Sequence, residues 1–136
     1  FSISLLLNQF AFDTILFPFN WVCWHQGNFG HRVLAKAQEK GVGRLALKTM
    51  AKRKWKEGEE RKWSKTWYSP VDTAEEALMA VRFTLSKPIT AGTSPGHAEL
   101  FRWMCDGADQ FTPLSEEEAA QVAERSKGLD PIFPQD

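Results

Sequence analysis

The chain has 136 residues, of which 43% are hydrophobic and 25% charged, and its formal net charge is zero. This length suits one domain with its own hydrophobic core, and the composition is that of an ordinary globular protein. Such a chain is neither a disordered charged tail nor a protein that coats nucleic acid.

The first residues predict no targeting signal. Positions 1–12 are apolar enough to resemble the core of a signal peptide, but they lack a basic leader and contain Asn8 and Gln9. No apolar run approaches the roughly 18 residues that a membrane helix needs, so we expect a soluble protein without membrane contact. Because Phe1 leads directly into an apolar segment, we expect the chain to begin inside a domain.

Cysteine usage favours a reducing, cytoplasmic setting. Cys23 and Cys105 lie far apart in sequence, and two cysteines do not make a disulfide framework, so we expect two buried thiols. Cys23 also precedes His25 and His31, but the spacing Cys-x-His-x5-His matches no tetrahedral metal site and no fourth ligand is evident. We therefore expect no metal.

Apolar periodicity predicts the elements of the first half. They are a helix ending over positions 4–10, a strand at 12–17 closed by Pro18, a helix within 28–40, and a strand at 44–48. Gly41 stands where a left-handed residue would end the helix within 28–40.

The second half continues the alternation. Thr73 and Glu76 predict a capping box at the start of an amphipathic helix, and positions 88–92 predict a third strand. The next helix, over 96–110, is expected to bury Leu100, Met104 and Ala108. A last helix begins at Ser115, boxed by Glu118.

This order predicts parallel strands joined by helical crossovers, hence an α/β architecture. A (β/α)8 TIM barrel has eight such strands over about 250 residues, so the chain would be a partial barrel made of its last three units. A small open sheet is the alternative, but the long basic insert at 51–70 is unusual there.

The turn at 92–97, Gly-Thr-Ser-Pro-Gly-His, is a candidate anion site. A strand that ends in small residues and opens directly into a helix leaves unpaired N–H groups at the positive end of the helix dipole. Phosphate is the ligand that such a turn would favour.

Four segments in order resemble the aldo/keto reductase family. AKAQEKGVGRLALKTMAK (35–52) is similar to the family's helix and seventh barrel strand, and ALMAVRFTLSKPITAGTSPGHAELF (77–101) to the eighth strand with its phosphate-binding turn. FTPLSEEEAAQV (111–122) is similar to the C-terminal helix, and FDTILFPFN (12–20) to the sixth strand. The resemblance covers nearly the whole chain, 1–136.

The resemblance implies a barrel enzyme that uses NADPH or NADH to reduce small aldehydes and ketones. The family's catalytic Asp, Tyr, Lys and His lie on the first four strands, which have no counterpart here, so no catalytic residue is carried over and this chain alone would be inactive. The residues matched to the cofactor's phosphate end are Gly92, Thr93, Ser94, Gly96 and His97 in the turn, with Lys48 beside the cofactor groove.

Three positions depart from the family pattern. Ser94 stands near the place where the family has a Lys or Arg for the 2′-phosphate, and Phe101 near the place of an Asn for the adenine. The preference between NADP and NAD is therefore left open. Leu16 stands in place of the Gln that orders the nicotinamide.

The segment 51–68 allows a second interpretation. It carries seven Lys or Arg against three Glu, interleaved with Trp55, Trp63, Trp67 and Tyr68, which is typical of a surface that binds an acidic partner or nucleic acid without catalysis. The neutral net charge instead favours a lid on the barrel mouth, anchored by its aromatic residues. The exposed edges of a three-stranded sheet also predict self-association.

Overall fold

The structure is a computed structural model that describes residues 3–134 apart from the side chain of Ser4, so positions 1, 2, 135 and 136 lie outside the described residues. The described residues form six helices and five strands. In chain order they are α1 (Ile3–Gln9), β1 (Thr14–Pro18), α2 (Trp21–His25), α3 (His31–Glu39), β2 (Gly43–Leu47), β3 (Ala51–Lys54), β4 (Tyr68–Pro70), α4 (Ala74–Leu85), β5 (Ala91–Gly92), α5 (Ala98–Asp109) and α6 (Glu116–Ser126).

The three strands predicted from the sequence form one parallel sheet in the order β1, β2, β5. The α/β class with crossover helices is therefore confirmed. Two boundaries differ from the prediction, because Pro18 lies inside β1 and β5 is only two residues long. The residues before β5 still join the sheet through Thr90, whose N–H donates to the carbonyl of Arg44 at 2.8 Å.

The helices lie on one face of this sheet. Phe17 pairs in register with Ala46, and both are buried in the core that the helices share. Leu16, Leu45 and Ala91 align across the sheet on the opposite face, because side chains alternate along a strand. That face is more open, since Leu16 is 53% exposed.

The main core lies between the sheet and the helices α2, α3 and α4. Phe17 and Phe19 meet edge to face with ring centroids 6.0 Å apart, and Phe19 stacks on Phe83 of α4. Each such aromatic side chain contributes about 1.5–3 kcal/mol on burial. The end of β1 is thus held rigidly against α4.

Helices α4 and α5 approach closely at Gly107. A Cβ there would lie 3.4 Å from the Val81 Cβ and from the Leu78 Cα, at ordinary contact distance, so the two helices pack directly at this position. The predicted burial of Leu100 is confirmed, and Met104 is half-buried. The predicted burial of Ala108 is wrong, because the buried stripe of α5 runs through Gly107 instead.

The predicted helix ends agree with the structure in most details. Ser115 and Glu118 form the full capping box of α6. At α4, the Thr73 hydroxyl accepts from the Glu76 N–H at 3.1 Å. The Glu76 carboxylate accepts from the backbone N–H of Asp72 instead of that of Thr73, so only half of the predicted capping box forms. Gly41 has a φ of 68°, the left-handed conformation expected after α3.

The insert at 51–70 is more ordered than a loop. Its two ends form an antiparallel pair, β3 with β4, in which Ala51 aligns with Pro70 and Lys54 with Tyr68. Sequence periodicity did not predict this pair, because the strands are short and β3 reads Ala-Lys-Arg-Lys with no alternation of apolar residues. Sequence periodicity also did not predict helix α2, because five residues are too few to show a helical repeat.

The outer edge of β1 carries a proline. The N–H of Phe19 donates to the carbonyl of Leu47 at 2.8 Å, so the backbone of odd-numbered residues in this strand faces β2. The backbone groups of Thr14, Leu16 and Pro18 therefore point to the edge away from β2. Proline is tolerated there because its missing N–H removes no bond within this sheet.

The two cysteines differ in burial. Cys23 is buried as predicted, but the prediction that both thiols are buried is wrong for Cys105, which lies exposed on α5. Of the described helices, none combines the length and apolar character needed to cross a bilayer.

Candidate functional site

A cleft of about 140 Å³ opens beyond the carboxyl ends of β2 and β5. Three segments line it: residues 47–48 at the end of β2, residues 65–68 of the insert, and residues 93–96 of the turn before α5. Carboxyl ends of parallel strands are where α/β proteins place ligands. The cleft is therefore the candidate site.

Lys48 occupies the floor of this region in a strained conformation. Its φ is 68°, in the left-handed region that a residue with a Cβ rarely adopts. Its ammonium nitrogen lies 5.1 Å from the ring centroid of Tyr68 and 5.8 Å from that of Trp67. Residues in such conformations cluster at functional sites, which makes Lys48 a candidate binding residue.

The backbone N–H groups of the turn that lines the cleft differ in their hydrogen bonding. The Thr93 N–H is already used, since it donates to the carbonyl of Ala46 at 2.8 Å. The N–H groups of Ser94 and Gly96 have no hydrogen-bond acceptor among the described residues. A Cβ on Gly96 would meet nothing within 4 Å, so the space beside it is open.

Gly92 serves packing and does not line the cleft. It lies on the helix-covered face, where a Cβ would come within 2.8 Å of the Met104 methyl and 3.0 Å of the Thr49 hydroxyl. Its lack of a side chain lets α5 approach the sheet.

His97 joins the turn to the insert. It is the N-cap residue of α5, but its side chain makes no cap hydrogen bond. Its Nε2 accepts from the backbone N–H of Lys65 at 3.0 Å, and its ring meets the edge of Trp63 at a centroid distance of 5.3 Å. His97 thus fixes one wall of the cleft without lining it.

Most cations of the insert are paired with carboxylates. The pairs are Lys52 with Glu76, Arg53 with Glu59, Lys54 with Asp130, and Lys62 with Asp72. The guanidinium of Arg53 holds the pKa of the Glu59 carboxyl at about 2. Lys48 and Lys65, which line the cleft, have no carboxylate within 4.0 Å in the described part of the chain.

The aromatic residues of the insert are mainly anchors. Trp63 is 5% exposed and donates its indole N–H to Asp72 at 3.0 Å, and Trp55 donates to the carbonyl of Thr66 at 2.9 Å. Trp67 differs, because it is 51% exposed at the edge of the cleft. The array of stacking rings expected of a nucleic-acid surface is therefore reduced to one exposed ring.

Tyr68 lines the cleft but is a poor proton donor. It is 3% exposed, and burial raises the pKa of its hydroxyl to about 12. A phenol in this state holds its proton throughout the physiological range.

The Cys23, His25 and His31 segment does not form a metal site. The Asn20 amide donates to the Cys23 sulfur at 3.3 Å, and burial raises the pKa of that thiol. The His31 ring stacks on Trp24 at 3.5 Å, and burial lowers the pKa of both histidines. Over residues 3–134, no three potential ligands come together around a metal position.

Of the six residues that the resemblance assigned to the cofactor, the structure brings four to the cleft: Lys48, Thr93, Ser94 and Gly96. Gly92 and His97 lie behind it. Sequence reasoning did not assign Lys65 or Trp67 to the site, although the insert's position directly after a strand predicted a lid. Comparison of the chain with family models, curated proteins and solved structures finds no match.

Proposed function

We propose that the chain is the C-terminal part of an aldo/keto reductase-like (β/α)8 barrel, with β1, β2 and β5 as its sixth, seventh and eighth strands. In the complete protein it would supply the phosphate end of the NAD(P)H site for reduction of aldehydes or ketones. The proposal rests on the resemblance quoted above together with the arrangement of the sheet and the cleft.

The sheet supports a barrel because only one of its faces is covered. All-parallel sheets are normally buried on both faces. Here the helices cover the Phe17 and Ala46 face, while Leu16 remains 53% exposed on the other. In a barrel, further strands would enclose that second face as the interior, and helices would be needed only outside.

The single observation that carries the functional proposal is the place of the cleft. Barrel enzymes frequently bind phosphate between the loops after strands seven and eight and a helix N-terminus. The cleft lies between Lys48, directly after β2, and the turn that leads into α5. These are the corresponding positions under the proposed strand assignment.

The lining fits the phosphates of a nicotinamide dinucleotide. Lys48, Lys65, Ser94 and Gly96 line the cleft, and among the described residues no carboxylate lines it and the N–H groups of Ser94 and Gly96 have no acceptor. When bound, the cofactor supplies hydride for carbonyl reduction. The residues of this chain would hold and orient its phosphates, with Lys48 as a charge and the turn as neutral donors.

The test is a titration of the 136-residue chain with adenosine 2′,5′-bisphosphate, followed by calorimetry. Gly96→Val places two methyl groups in open space at the cleft, so it should leave the melting temperature unchanged and weaken binding tenfold or more. A lost charge-assisted hydrogen bond costs about 1.5–3 kcal/mol, which is at least that factor. Lys56→Ala changes an exposed insert residue outside the cleft and serves as the control.

Equal affinity of the wild type and Gly96→Val, with loss only in Lys56→Ala, would contradict the proposal. That outcome would place the anion site on the basic insert and support a nonenzymatic interaction module. The ion pairs of the insert argue for loss in Gly96→Val, since they involve four of its seven cations and leave Lys56, Arg61 and Lys65 without a carboxylate partner among the described residues.

A further inference from the structure

The two lysines of the cleft, which have no carboxylate within 4.0 Å among residues 3–134, lie on different walls. Lys48 follows β2 beside the turn, and Lys65 belongs to the insert. Four other cations of the insert are paired with carboxylates. The insert cations without such a pair among the described residues are Lys65 at the cleft and Lys56 and Arg61 outside it.

The backbone that carries Lys65 is fixed from both sides. Its own N–H donates to His97 at 3.0 Å, and the next residue, Thr66, donates its hydroxyl to the carbonyl of Trp63 at 2.9 Å. The carbonyl of Thr66 in turn accepts from Trp55 at 2.9 Å. The exposed side chain of Lys65 therefore extends from an anchored position.

The size of the cleft suits one terminal phosphate group. Its volume of about 140 Å³ is below the roughly 300–1,000 Å³ of pockets that enclose a whole drug-sized ligand, so it would hold only part of a dinucleotide. A phosphomonoester carries about −1.5 to −2 charge at pH 7, which favours a charge-assisted contact with a lysine. Trp67, exposed beside the cleft, offers an apolar ring for a purine.

Resting on the proposed cofactor site, we propose that Lys65 is the specificity-determining residue for the 2′-phosphate of NADP. The insert thereby replaces the Lys or Arg that the family places just after strand eight, where this chain has Ser94. Lys48 holds charge common to both cofactors, and Lys65 binds the group that only NADP carries.

Two ligands that differ only in the 2′-phosphate test this assignment: adenosine 2′,5′-bisphosphate and adenosine 5′-monophosphate. Calorimetry on the full chain measures both affinities for the wild type, Lys65→Ala, Lys65→Glu and the control Lys56→Ala. The wild type should bind the bisphosphate at least ten times more tightly. Lys65→Ala should bring the ratio close to one by weakening the bisphosphate alone, Lys65→Glu should reverse it, and Lys56→Ala should leave it unchanged.

The assignment is overturned if the Lys65 variants weaken both ligands equally, if they leave the ratio unchanged, or if Lys56→Ala lowers it as much. Those results would leave the proposed cofactor site intact, provided Gly96→Val still weakens binding tenfold or more. A wild-type chain that binds neither nucleotide overturns both proposals. Inorganic phosphate that binds as tightly as the bisphosphate, with the same dependence on Lys65, shows a free-phosphate site and overturns the nucleotide assignment.

Discussion

The Nε2 atom of His97 accepts a hydrogen bond of 3.0 Å from the backbone N–H of Lys65, which joins the first residue before α5 to the insert 32 positions earlier. Trp63 packs its ring against the same imidazole. The insert and the turn therefore form one continuous wall of the cleft.

Replacing His97 should loosen the insert. His97→Ala removes the acceptor for Lys65 and a ring contact, so trypsin should cleave within 52–65 several times faster than in the wild type. The loss of one neutral hydrogen bond costs about 1 kcal/mol, so the chain should remain folded. His97→Gln keeps an acceptor and should cleave more slowly than His97→Ala, while equal cleavage of wild type and His97→Ala would show that the insert does not depend on this contact.

Replacing Lys48 should weaken nucleotide binding, and the stability of the variant should depend on which residue replaces it. A left-handed residue with a Cβ costs about 1–2 kcal/mol, and glycine avoids that cost. Lys48→Gly should therefore be about 1 kcal/mol more stable than Lys48→Ala in urea unfolding, and both should bind adenosine 2′,5′-bisphosphate roughly tenfold more weakly than the wild type. An alanine variant as stable as the glycine variant would contradict strain at this position.

The Arg82 and Glu118 pair should give stability that depends on pH. The guanidinium bonds both carboxylate oxygens, at 2.6 and 2.9 Å, and with the Ser115 N–H it lowers the pKa of Glu118 to about 2. An unfolded glutamate titrates near 4.3, so this contribution is complete above about pH 4.5 and is lost as the pH falls toward 2.

The measurement compares urea midpoints of the wild type and Glu118→Gln from pH 7 to pH 2. The difference should be constant above about pH 5 and should shrink below pH 4.5. Glu117→Gln, one residue earlier in α6 and without an ion pair among the described residues, is the matched control and should stay close to the wild type. A difference that grows on acidification would contradict the stated direction.

The chain alone should not oxidise NADPH in the presence of aldehydes. General acid catalysis needs a donor within hydrogen-bond reach of the carbonyl oxygen and with a suitable pKa. Tyr68 is buried and its pKa is about 12, so it does not meet that need. Turnover that is proportional to protein and disappears in Tyr68→Phe would contradict this prediction.

Local sequence rules predicted the elements whose signals are local. Short apolar segments predicted the parallel strands. A few residues close in sequence predicted the capping box at Ser115 and the left-handed conformation of Gly41. The pairing of β3 with β4 depends on contacts across the insert, which periodicity does not encode. Burial at Gly107 instead of Ala108 depended on how closely α4 approaches α5.

The cleft was predictable only in part, because some of its contacts join residues that lie far apart in sequence. Lys48 and the turn follow strands that lie next to each other, so their proximity follows from the parallel order of the sheet. Lys65 reaches the cleft because His97 and Trp63 hold the insert there. Such a contact between residues far apart in sequence leaves no signal in either segment alone.

The orientation of Pro18 limits how another strand can join the sheet beside β1. Of the outward-facing residues, only Thr14 and Leu16 offer an amide donor, because proline has none. A strand added at this seam could both donate to and accept from the backbone of Thr14 and Leu16, whereas at Pro18 it could only donate to the proline carbonyl. The seam would therefore have one backbone hydrogen bond fewer at the carboxyl end of β1, and a strand paired there would separate more readily from that end.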